Sequence, residues 1–80
     1  MTASLETLCR IVAEVLELPA TAVDAGASSA TLPEWDSLRN LQVVLAVEGA
    51  FGVRFRTEEL PALDSVRALG ERLEIALPPV

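Results

Sequence analysis

"DSLRNLQVVLAVEGAFG" occupies residues 36–52, near the middle of an 80-residue chain. Its two ends carry helix signals. The Asp36 carboxylate can accept the free backbone N–H groups of a first helical turn, and Gly52 is the residue type that most readily enters the left-handed turn closing a helix. Between them Leu38, Leu41, Val44, Leu45 and Val47 form an apolar surface wider than a narrow stripe. The stretch is therefore expected to form a helix over about 37–51, with Ser37 as its first residue.

Working outward, Leu5, Leu8, Val12, Val15 and Leu16 recur at three- and four-residue steps. That spacing predicts an amphipathic helix over about 2–17, capped by Ser4 or Thr2 and ended by Pro19. Cys9 falls within the stripe, where it reads as a small core residue rather than a reactive thiol. Residues 18–36, "LPATAVDAGASSATLPEWD", are long for a connection inside a small domain, so they are expected to be functional or pinned, with Val23, Leu32 and Trp35 as the pins. A helical turn near residues 20–23 would fit within them. After Gly52, "VRFR" alternates like a strand, but a single four-residue strand has no sheet to join, so it reads as an extended connector anchoring Val53 and Phe55. Thr57, Glu58, Glu59 and Leu60 open a helix that Pro61 keeps short, over about 57–63. A last helix over about 65–76 starts at an Asp64 or Ser65 cap, turns Val66, Leu69 and Leu73 inward and cannot continue through Pro78 and Pro79. The expected fold is all-α: one domain over residues 1–80, a four-helix bundle with a short third helix and a long loop between helices 1 and 2.

Composition narrows the chemistry. The chain has no His and one Cys, which leaves no zinc-type ligand set, no imidazole base and no internal disulfide. The net charge of −6 disfavours nucleic acid, and no apolar run approaches the roughly 18 residues that span a membrane. With no signal-peptide pattern, a cytoplasmic protein is expected. Met1 and the Pro-rich end fit a discrete protein, and the lack of sustained heptads fits a monomer. Charge is uneven: residues 1–36 hold six acids and one arginine, residues 37–57 hold Glu48 against Arg39, Arg54 and Arg56, and residues 58–80 hold five acids and two arginines. Only the middle is basic.

Ser37 carries the remaining chemistry. At the first position of a helix, free N–H groups and the helix dipole both favour an anion, each by about 0.3–1 kcal/mol at an exposed site. A phosphodiester on the hydroxyl would sit well there. With no His or Lys in the chain, activation of that hydroxyl has to come from a partner enzyme. Alone, Asp-Ser at a helix start is ordinary capping chemistry.

The order of features around it is more specific. D-S-L opening an apolar helix, then Glu48, Phe51, Gly52 and Val53, "TEEL", and the S-V-x-x-L of "LDSVRALGERL" together resemble the acyl carrier protein family across nearly the whole chain. The resemblance implies that Ser37 receives 4′-phosphopantetheine from coenzyme A through a separate phosphopantetheinyl transferase. It also implies a carrier rather than an enzyme, served by acyl-loading and acyl-transferring enzymes, with no metal of its own. Asp36 is then expected to cap the helix and to aid recognition by the transferase. Leu38 would lie near the base of the arm, as a contact or as the first core residue of the helix.

Within that family, carrier proteins of fatty acid synthesis usually show an acidic second helix, and this chain does not. It has Arg39 after D-S-L, and Glu48 is the helix's only acid. Arg39 opposes the dipole of its own helix, so it reads either as a solvated side chain or, with Glu48, Arg54 and Arg56, as part of a partner-reading set. "LPEW" before D-S-L resembles carriers of dedicated polyketide, nonribosomal peptide or related pathways. Trp35 either packs the loop or meets the arm or a partner. An aminoacyl or D-alanyl carrier and an unmodified helical interaction module of the same fold are the competing readings.

Overall fold

The computed structural model describes residues 2–76, with side chains from residue 5 onward. The expected Thr2 or Ser4 cap and the Pro78–Pro79 stop lie outside the described side chains and residues. Three α-helices, α1 (Thr2–Leu16), α2 (Ser37–Phe51) and α3 (Val66–Ala76), are joined by two 3-10 helices, Ala20–Ala22 and Thr57–Ala62. The chain is a helical bundle, with α1 packed against both α2 and α3.

The core follows the spacing of apolar residues in α1 and α3. Leu8, Ile11, Val12 and Leu16 of α1 meet Val66, Leu69 and Leu73 of α3, all buried. α2 behaves differently. Its buried residues are Asn40, Val43, Val44 and Val47, whereas Leu38, Leu41 and Leu45 remain on the surface. Of the apolar surface expected to pack, only the valine side does so. A bundle of this size offers α2 one core-facing side, and among the described residues nothing covers the second apolar side.

The long loop is held by side chains and by backbone. Val23, Ala27 and Trp35 are core residues and Leu32 packs against them. Val66 N–H donates to the Ala27 carbonyl at 3.0 Å and Ser29 N–H to the Asp64 carbonyl at 2.9 Å, around an isolated antiparallel bridge between Ser28 and Ser65. These bonds give the irregular backbone the partners it would otherwise lack. They also divide the two candidate caps of the last helix. Ser65 Oγ accepts from Ala68 N–H at 3.0 Å and caps α3, while the Asp64 carboxylate accepts from Ser29 Oγ at 2.6 Å.

α1 ends in a paired turn. Leu18 N–H reaches back to the Ala13 carbonyl and Glu17 N–H to the Glu14 carbonyl, with Glu17 in the left-handed region at φ 59°. That is the Schellman arrangement, with glutamate where glycine fits best. The last helical turn of α2 closes on Gly52, at φ 68°, as its sequence predicts.

Residues 53–56 form the expected connector. Phe55 N–H donates to Glu48 Oε2 at 2.7 Å, so the end of α2 holds it in place. The short 3-10 helix then contains Pro61. Glu59 joins it to α3: its carboxylate accepts from Arg56 N–H at 3.0 Å and pairs with Arg72, whose guanidinium stands 5.3 Å from the Phe55 ring centre. The Arg72 hydrogen bond, followed by that from Arg56 N–H, lowers the Glu59 carboxyl below its ordinary value.

Two outcomes follow from these contacts. Left-handed strain at a non-glycine residue costs about 1–2 kcal/mol, partly offset by the greater unfolded-state entropy of glycine, so Glu17→Gly should raise the urea-unfolding free energy by about 0.5–1 kcal/mol. Because Glu59 titrates lower in the folded chain, its pairing stabilises the fold above the ordinary carboxyl range, near 4.5, and is lost as pH falls through the lower folded value. Glu59→Gln should therefore weaken the fold at neutral pH and flatten the acid side of its stability profile, as read by urea titrations at a series of pH values.

Candidate functional site

The site is built from the start of α2. Asp36 is extended, at φ −97° and ψ −174°, and its Oδ1 accepts from Arg39 N–H at 2.8 Å. Its carbonyl accepts from Asn40 N–H at 2.8 Å, which begins the helical ladder. The N–H groups of Ser37 and Leu38 therefore lie ahead of the ladder, at the positive end of the helix dipole. Ser37 is exposed, and among the described residues its hydroxyl has no hydrogen-bond partner. Leu38, beside it, is 63% exposed, so it is a surface residue and not the first core residue of the helix.

This short segment is held from below. Trp35 is 2% exposed, and its indole Nε1–H donates to Asn40 Oδ1 at 2.9 Å. The other end of the same amide, Nδ2, donates to the Leu60 carbonyl at 2.9 Å. Trp35 thus packs the loop, as one of its two readings requires. The sequence offered no signal that Asn40 would be its partner, because the third member of the contact is a backbone carbonyl twenty residues away.

Arg39 has an internal role as well. Its Nη1 donates to the Val15 carbonyl at 2.6 Å, at the C-terminal end of α1. The turn at Glu17 satisfies the Ala13 and Glu14 carbonyls, and Arg39 takes the next one. A cation that opposes the dipole of its own helix is there favourable to the dipole of its neighbour. Glu48, likewise, is hydrogen-bonded to Phe55 N–H. Arg39 and Glu48, two members of the expected partner-reading set, are half-buried and bonded within the chain. Arg54 and Arg56 are exposed and, among the described residues, neither side chain makes an ion pair.

The phosphopantetheine arm can be tested against these residues. An attachment point needs an accessible hydroxyl, space for a phosphodiester and no competing internal hydrogen bond. Ser37 meets all three conditions. Asp36 brings one carboxylate close to that anion, but the carboxylate is turned to the helix N–H of Arg39, and the Ser37 and Leu38 N–H groups offset its charge. Cys9 is a different case. It lines a cleft of about 410 Å³ between α1 and residues 20–25, where burial first and Asp24 second raise its pKa above the ordinary 9.0. Its thiol stays protonated at neutral pH and is a poor nucleophile.

Asn40→Ala should remove the partner of a buried indole N–H and of the Leu60 carbonyl together. Each buried group left unpaired costs about 1–3 kcal/mol, against about 4–12 kcal/mol for the whole fold of an 80-residue chain. The expected result is a markedly lower urea midpoint, read by the fluorescence of the sole tryptophan, Trp35.

Comparison with known proteins agrees with this geometry. Residues 6–73 match the family described as "Phosphopantetheine attachment site". The chain is also 32% identical over 73 residues to Acyl carrier protein 3 of Ralstonia nicotianae (strain ATCC BAA-1114 / GMI1000), an alignment covering 91% of this chain and 84% of that relative. Domains of this kind hold 4′-phosphopantetheine covalently, interact with phosphopantetheinyl transferases and acyl-handling enzymes, and are carriers rather than enzymes. By the match across its bundle, including the Asp36–Ser37 helix start, this chain belongs to the phosphopantetheine-bearing acyl carrier protein family.

Proposed function

We propose that Ser37 is the attachment residue and that the chain carries acyl intermediates for a dedicated polyketide, nonribosomal peptide or related pathway. The observation that supports Ser37 is its free, exposed hydroxyl at the first position of a capped helix of 15 residues. In loading, Ser37 Oγ attacks the β-phosphorus of coenzyme A. A new O–P bond forms, the bond to 3′,5′-ADP breaks, and the serine proton passes to a base of the transferase, since the chain has no His or Lys. The arm, once bound, supplies a thiol that holds acyl groups as thioesters.

The other residues divide by role. Asp36 fixes the helix start through Arg39 N–H and offers its carboxylate next to Ser37 for recognition by the transferase. Leu38 lies at the base of the arm. Arg54 and Arg56 are exposed cations that acyl-transferring enzymes with acidic rims can read. Arg39 and Glu48 contribute to recognition indirectly, by holding α2 to α1 and to the connector. A second helix with a single acid, Glu48, itself bonded to the connector, supports a dedicated partner set over one that reads an acidic helix. The protein acts as a monomer in this reading.

Incubation with coenzyme A, Mg²⁺ and a broad-specificity phosphopantetheinyl transferase should add one phosphopantetheine to the intact mass. The addition should vanish in Ser37→Ala. An addition that persists in Ser37→Ala would move the attachment site to another residue, and none on the parent chain would favour an unmodified helical module.

A further inference from the structure

The residues around Ser37 are tied down on both sides. Asp36 Oδ1 accepts from Arg39 N–H at 2.8 Å, the Asp36 carbonyl accepts from Asn40 N–H at 2.8 Å, and Arg39 Nη1 donates to the Val15 carbonyl. Among the described residues Asn40 is the one buried polar side chain, at 8% exposed, and its amide is paired at both ends, with the Trp35 indole and the Leu60 carbonyl. With Asp36 as the cap, Trp35 is the residue before the cap and Asn40 the fourth helical residue. An apolar pair often fills those two positions and fixes the angle at which the chain enters the helix. Here the contact is a hydrogen bond from an indole to an amide.

Stability alone gives little reason for that choice. An apolar residue at position 40 would meet the indole ring without desolvating an amide, and buried hydrogen-bonded groups contribute little net over apolar groups of the same shape. What the amide adds is direction. Apolar contact is non-directional and lets the loop slide over α2, whereas two bonds on one planar group fix both position and rotation. We infer that Asn40 is a positioning residue for loading: acting through Trp35, it sets the entry angle of residues 35–37 and so the approach of Ser37 Oγ to the phosphorus of coenzyme A. The inference rests on Ser37 as the attachment residue. In the bound complex Ser37 Oγ must come within about 3–3.5 Å of that phosphorus, with the attacking and leaving oxygens roughly in line. A serine at the first helical position takes its direction from the residues before it, and those are held by the Trp35–Asn40 bond. Loss of the amide therefore leaves binding of the transferase in place and slows transfer within the complex.

The test is single-turnover loading from coenzyme A with a broad-specificity transferase in excess, at a temperature where circular dichroism shows each variant folded. It compares the parent with Asn40→Ala, with Trp35→Phe, which keeps an aromatic ring and removes the indole N–H, and with Leu73→Ala, a core truncation in α3 outside this contact. Asn40→Ala should lower the rate at saturating enzyme by about tenfold, while the half-saturating enzyme concentration changes by less than about twofold, because a misplacement of about 1 Å is enough for such a loss. Trp35→Phe should lower the same rate by about threefold or more. Leu73→Ala should load at the parental rate although its urea midpoint falls, which separates positioning from stability. The inference is overturned if folded Asn40→Ala or Trp35→Phe loads at the parental rate, if the loss appears only as a higher half-saturating concentration, or if Leu73→Ala slows as much as Asn40→Ala. Each of those results leaves Ser37 as the attachment residue. Should Asn40→Ala not fold, Trp35→Phe decides by the same criteria. If Ser37→Ala is still loaded, the attachment reading fails, and the positioning inference fails with it.

Discussion

The buried amide of Asn40 organises the part of the chain that matters most. A polar side chain in a dry interior must be paired at both ends, and each end of this one is paired with a different segment: the indole of Trp35 in the long loop and the carbonyl of Leu60 in the short 3-10 helix. One side chain of α2 therefore determines where the loop arrives and where the 3-10 helix rests. Apolar packing alone would allow either segment to shift by a fraction of a turn, whereas two directional bonds on a planar group do not. Ser37 stands between Trp35 and Asn40 in sequence, so that contact fixes the backbone on both sides of the proposed attachment residue.

A similar logic governs the charged residues. This chain has few cations, and several of them stabilise helix ends or join elements. Arg39 completes the C-terminus of α1, Arg72 joins the 3-10 helix to α3 through Glu59, and its guanidinium covers Phe55. Glu48 holds the connector by its N–H. Both charged residues of α2, Arg39 and Glu48, are thus hydrogen-bonded to backbone groups of neighbouring segments.

Much of this was legible in the sequence because it depends on local chemistry. Asp36 as a cap, Gly52 as a left-handed stop, Pro61 as a limit on the third helix, and the inward side of α3 are all set by residues within a turn or two of one another. Ser37 as the candidate site was legible for the same reason, helped by the wider order of motifs. The roles of Asn40, Arg39 and Glu48 were not. Arg39 looked like a departure from a family pattern, Glu48 like a surface acid, and Asn40 carried no signal, because each has a partner among the backbone groups of another segment. Backbone groups have no residue identity to read. The outward leucines of α2 were hidden for another reason: Leu38, Leu41 and Leu45 are as apolar as the valines that pack, and periodicity cannot decide which of two apolar sides meets the core.

By itself, then, the sequence determined the helices, their caps and stops, and a serine at a helix start suited to an anionic group, since propensity, dihedral restriction and the helix dipole act over a few residues. Only the tertiary structure decided which side of α2 is covered and which charged side chains are bonded within the chain. Those outcomes depend on long-range pairing of buried polar groups and on the limited core area that three helices can share.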